Sequence, residues 1–168
     1  RKGYSRTKQS VFLRYPEHAH SLVQSIGIES LDNSSIQWYL MALIREQVVL
    51  TPQESAKLES RVNPYPELQL YYYQYHLQLG NQEAFTRLVE LTHESVDFNV
   101  RIDAFDVLLT LGYRDVELFR NLHQALNSFN RRLKSGAKSA LNKTLTVDIA
   151  NYLEEKGEYE LSQFYKNL

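Results

Sequence analysis

The chain has 168 residues, 43% hydrophobic and 23% charged, a globular composition long enough to bury a sizeable core. Its 19 Lys and Arg against 20 Asp and Glu give a formal net charge of -1, with no overall pull toward nucleic acid or an anionic membrane. The lack of cysteine excludes disulfides, Cys-ligated zinc and a thiol nucleophile, and the longest wholly apolar run, Trp38 to Ile44, falls far short of a membrane span.

Arg1 rather than Met stands first, so the chain is expected to be cut from a longer protein, with its compartment left open. Six glycines and four prolines are too few for the turns of an all-β chain. Helices are expected over about 6–14, 17–26, 34–47, 52–62, 66–79, 82–92, 98–111, 115–127, 129–143, 147–156 and 158–166. Their punctuation is explicit. Thr51-Pro52-Gln53-Glu54 reads as an N-cap, a first-turn proline and a capping-box glutamate. Gly80 and Gly112 each end an apolar helix, and Asp115 stands where the next N-cap belongs.

A repeat runs through these helices. Segments beginning at Ile36, Leu68 and Val100 align without gaps, 32 residues apart each time. They pair Trp38 with Leu70 and Ile102, and Met41 with Tyr73 and Phe105. A fourth copy, one residue out of step, sets Leu133, Ala137, Ala140 and Leu141 on Val100, Ala104, Val107 and Leu108. The first helix of each copy is apolar nearly all round and must be covered on several sides. The second is amphipathic, with Phe85, Leu88 and Leu91 inward and Glu83, Arg87 and Glu90 outward. Hairpins stacked on their neighbours supply both environments.

The segment Asp97-Phe-Asn-Val100-Arg101-Ile-Asp-Ala104-Phe-Asp-Val107-Leu108-Leu-Thr-Leu111-Gly112 resembles the first helix of a HEAT repeat. Val107 stands where that family usually has a small residue, and Gln37 and Gln69 replace its arginine in the earlier copies. The resemblance covers about 36–145 and implies an all-α right-handed solenoid of HEAT/ARM-like hairpins. One domain is expected over 1–168: a divergent N-terminal hairpin at 1–33, about four repeats over 34–145 and a capping hairpin at 146–168. Glu154, Glu155, Glu158 and Glu160 would give that cap its polar face. More loosely, Trp38-Tyr39-Leu40, Leu50-Thr51-Pro52 and Pro66-Glu67-Leu68 are similar to the C-terminal helical domain of zinc aminopeptidases of the aminopeptidase N and leukotriene hydrolase kind. That likeness implies an accessory domain beside a peptidase encoded upstream, and zinc only there.

No catalytic, cofactor or metal residue is assigned within the chain. None of its five histidines forms His-Glu-x-x-His, and His18 and His20, two apart on a helix, point in different directions and read as solvated surface. His76 falls on the core stripe of Ile44 and Leu108, with a hydroxyl such as that of Tyr72 expected to satisfy it. Asp103 and Asp106 read as the wet edge of packing. Two stretches are basic without an acid: 1–16, with Arg1, Lys2, Arg6, Lys8 and Arg14, and 131–147, with Arg131, Arg132, Lys134, Lys138 and Lys143. Arg131, Lys134 and Lys138 share one helical face. Tyr71, off the inward face of Tyr72 and Tyr75, joins Arg131, Arg132, Lys134 and Lys138 as the candidate interaction surface. The expected partner is the rest of the parent chain or another protein. The neutral total disfavours nucleic acid, and no membrane is expected.

Overall fold

The computed structural model describes residues 11–168, and every regular element among them is helical. Residues 11–14 are helical, followed by α1 (Pro16–Ile26), a short 3-10 turn (Ile28–Ser30), α2 (Asn33–Glu46), α3 (Pro52–Val62), α4 (Pro66–Gln78) and α5 (Glu83–Glu90). Then come α6 (Phe98–Thr110), α7 (Val116–Leu126), α8 (Arg131–Leu141), α9 (Thr146–Glu155) and α10 (Tyr159–Lys166). The start of the helix expected at 6–14, and Arg1, Lys2, Arg6 and Lys8, lie outside the described residues.

Local chemistry sets the helix ends. The Thr51 hydroxyl accepts from the Glu54 amide at 3.2 Å while the Glu54 carboxylate accepts from the Thr51 amide at 3.0 Å, which closes the expected capping box. The carboxylate of Asp115 accepts from the Leu118 amide at 3.0 Å and starts α7. Gly80 and Gly112 take the left-handed conformation, with φ of 87° and 70°. Gln47, at the corresponding point after α2, holds φ 53° with a full side chain. Gly157 makes the same turn after α9, with φ of 77°, so that of these four turns one is made without glycine.

The repeat reappears as burial. α2, α4, α6 and α8 begin at residues 33, 66, 98 and 131, so the period is 32 or 33 residues. Ile36, Leu68, Val100 and Leu133 are all buried, and so are Leu40, Tyr72, Ala104 and Ala137 one turn further on. The pairing of Met41 with Tyr73 and Phe105 fails as a core position. Phe105 is buried, but Tyr73 is half-buried and Met41 is exposed, because a helix covered on fewer sides leaves its outer positions wet.

The chain divides into two compact units, one ending at Ala84 and one beginning at Phe85. In the first, α1 packs on α2, α2 on α4 and α3 on α4. In the second, α6 and α7 both pack on α8, α9 packs on α10, and α10 reaches α7. Helices that pack on near neighbours in sequence build local cores and need no common centre. The boundary falls in the first turn of α5.

The second unit holds a buried polar knot. Arg101, only 3% exposed, donates Nε to the Thr92 carbonyl at 2.9 Å and one terminal nitrogen to Gln124 Oε1 at 2.7 Å. Its guanidinium lies 5.8 Å from the centre of the Phe105 ring. Asn121 donates to the Thr92 hydroxyl at 2.9 Å. Arg101 is therefore turned inward and ties α6 to the turn after α5 and to α7. In α10, the buried Tyr165 hydroxyl donates to the Phe119 carbonyl at 2.6 Å and holds the last helix on α7.

Candidate binding face

α8 begins at a side-chain cap: Asn130 Oδ1 accepts from the Leu133 amide at 3.1 Å, and Ser128 Oγ accepts from the Asn130 amide at 3.1 Å. That turn leaves Phe129 fully exposed, with no share in the core. Leu133, Ala137, Ala140 and Leu141 are buried on one side of α8. The opposite side therefore presents Arg131, Arg132, Lys134 and Lys138, all exposed.

Arg131, Lys134 and Lys138 make no ion pair or hydrogen bond with any other described residue. Lys143 differs, since Asp106 on α6 neutralises it. Arg132 lies against the Phe98 ring, 5.8 Å from its centre, at the start of α6. A cleft of about 460 Å³ opens there, lined by Asn99, Ile102 and Asp103 of α6 and by Arg131, Arg132 and Ser135 of α8. Burial, and then the neighbouring charge of Asp106, push the Asp103 carboxyl above the usual carboxylate range.

The helices close at this cleft because Gly136 has no side chain. A Cβ there would lie 2.7 Å from two carbons of Ile102. Of the residues picked from sequence, four sit together on α8. Tyr71 belongs to the first unit, half-buried against that unit's core, where Gln37 donates to its hydroxyl at 3.4 Å. Phe98, Asn99, Asp103 and Phe129 escaped the sequence reading as parts of a face. The single signal for Phe129 was a large apolar residue between Ser128 and Asn130, outside every repeat position.

The histidines are placed otherwise than their spacing suggested. His18 is exposed, but His20 is half-buried: its Nδ1 lies 3.0 Å from the Tyr39 hydroxyl and its Nε2 3.6 Å from Glu54. Solvated surface is thus corrected for His20, because α1 lies on α2 and brings Tyr39 to it. Burial raises the Tyr39 hydroxyl well above the ordinary tyrosine value, and the Glu54 carboxylate adds to that rise. Glu54 is itself held below the usual carboxylate range, chiefly by the Thr51 amide. The expected hydroxyl does not reach His76, whose buried Nε2 has no hydrogen-bond partner among the described residues. Tyr72 meets it edge-on instead, with ring centres 4.4 Å apart. Burial accordingly lowers the His76 pKa.

A second cleft, of about 380 Å³, lies in the second unit beside Val89, His93, Asp115 and Asn121. Its acids serve their own chain: Asp115 caps α7, Glu117 meets Arg120 and Glu90 meets Arg87. Among the described residues, no three acidic or histidine side chains gather where they could share a metal ion, and no helix is long and apolar enough to cross a membrane. No protein-family model matches the chain, nor does any curated protein or any solved structure.

Proposed function

We propose that this chain is a non-catalytic helical-repeat module, its hairpins stacked as a right-handed solenoid of the HEAT kind, that docks another protein or another part of its own parent chain. The recurrence of buried positions every 32 or 33 residues supports the solenoid. The docking role rests on one observation: among the described residues Arg131, Lys134 and Lys138 stand unpaired in a row on α8, beside a cleft and a fully exposed Phe129. Scattered surface cations are ordinarily just solvated. Here a single-sign row coincides with an aromatic ring that nothing in the unit covers, and such combinations mark interaction sites.

Crosslinking with a lysine-reactive reagent, applied to the full-length protein in its own cells, tests this reading. Lys134 and Lys138 should link to a second polypeptide, or to parts of the parent chain beyond these residues, more often than Lys57. The latter is also exposed but is engaged with Glu29 at 3.8 Å. Links from Lys134 and Lys138 confined to this chain, or no richer than those from Lys57, would remove the docking role. The aminopeptidase likeness makes a zinc peptidase the proposed parent, and a coding sequence without an upstream His-Glu-x-x-His would end that part of the proposal.

A further inference from the structure

Resting on the docking reading above, we propose that the cleft between α6 and α8 receives an acidic peptide segment carrying one large apolar side chain. Arg131 and Arg132 sit on the α8 wall, and a guanidinium fork matches a carboxylate with two parallel hydrogen bonds. Lys134 and Lys138 continue the cationic row along the helix, so acids spaced along an extended segment each find a partner. The cleft, about 460 Å³, is of a size that holds a few side chains and no folded domain.

Asp103 separates a peptide from other polyanions. It lines the same cleft, with Asp106 a turn away on α6. A nucleic-acid strand or an anionic lipid surface presents phosphates at every step and would set some of them against the Asp103 carboxylate. A peptide backbone alternates acceptors with N–H donors, so one segment satisfies Arg131 and Asp103 together. The apolar requirement comes from Phe129 and Ile102. Phe129 is fully exposed two residues before Arg131, and Ile102 is half-buried in the cleft wall, held there by its packing on Gly136. Apolar surface left in water is stabilised by whatever covers it.

Fluorescence anisotropy on the intact chain tests this with three labelled probes. One is a peptide of Asp and Glu with a central Phe, the second the same peptide with Gly for that Phe, and the third oligothymidylate. The Phe-bearing peptide should bind tightest. R131E combined with R132E should weaken it roughly tenfold or more. F129A should weaken the Phe-bearing peptide several-fold and leave the Gly-bearing one unchanged. D103N should tighten oligothymidylate by a larger factor than it tightens the peptide, whose N–H groups the Asn side-chain oxygen still accepts. The altered side chains are exposed, so circular dichroism of each variant is expected to match the parent. Absent peptide binding, equal binding of both peptides, insensitivity to the arginine pair, or tighter binding of oligothymidylate would each overturn the inference. Outward crosslinks from Lys134 without peptide binding would sink the partner class and leave the docking module standing. Loss of both results would end both.

Discussion

Gly136 of α8 and Ile102 of α6 touch so closely that a Cβ on the glycine would lie 2.7 Å from both Cγ atoms of Ile102 and 2.8 Å from its Cδ1. A glycine inside a helix costs about 1 kcal/mol relative to alanine, so propensity alone would favour Ala there. Overpacking a tight contact costs about 1–3 kcal/mol, and Ile102 is β-branched and stiff. Overpacking should win. Gly136→Ala is expected to lower the unfolding midpoint in urea, and Ile102→Ala in the same chain should recover part of the loss. An unchanged or raised midpoint for G136A alone would show that α6 and α8 are not so close.

Gln47 offers the opposite case. Its φ of 53° is the left-handed turn that Gly80 and Gly112 make after later helices. A side chain in that region costs about 1–2 kcal/mol, against a smaller entropic loss for glycine on folding. Gln47→Gly should therefore stabilise the first unit, by up to about 1 kcal/mol after that offset. Gly112→Ala, placed where φ is 70°, should destabilise the second unit, although nothing lies within 4 Å of an added Cβ. Chemical denaturation of both variants distinguishes backbone strain from crowding.

Arg101 answers for the second unit's polar knot. Burial lowers its pKa, yet a guanidinium stays charged in proteins, so the charge must be satisfied where it sits. Arg101→Met keeps the apolar stem but leaves the Thr92 carbonyl without the donor it has at 2.9 Å. An orphaned buried acceptor costs about 1–3 kcal/mol, and that is the expected destabilisation. Gln124→Ala, at an exposed position, should cost less, because water replaces its amide oxygen. If R101M unfolds at the denaturant concentration of the parent, the knot contributes nothing.

His76 carries the pH dependence. Its folded pKa is lowered by burial, with Glu59 pulling weakly the other way, and Tyr72 and Tyr75 pack against its ring. A group whose folded pKa is depressed adds stability above the unfolded histidine value, near about 6.5, and loses it as pH falls through the folded value. The first unit should weaken as pH falls below that unfolded value. His76→Leu should remove that share of the acid sensitivity, and it should cost little at neutral pH because Nε2 has no partner to lose. Urea midpoints followed with pH should lie close together for parent and variant at neutral pH and separate at the acid end, with the variant above the parent. Parallel curves would deny His76 this role.

How much of this was legible in the amino-acid order depends on distance along the chain. The helices, the Thr51 capping box and the Asp115 cap all follow from residues within a turn or two of each other, where spacing fixes which side chains share a face, and the repeat is the return of that local pattern. Arg131, Lys134 and Lys138 were readable as one face for the same reason. What faces them was not. Asp103, Asn99 and Phe98 lie about thirty residues earlier, and only the packing of α6 on α8, permitted by Gly136, brings them to the arginines. Tertiary packing likewise left Met41 in water where Phe105 is buried, drew His20 to Tyr39 and denied His76 the hydroxyl expected for it. Periodicity is a local property of the chain, whereas exposure and partnership are decided by whichever helix arrives opposite.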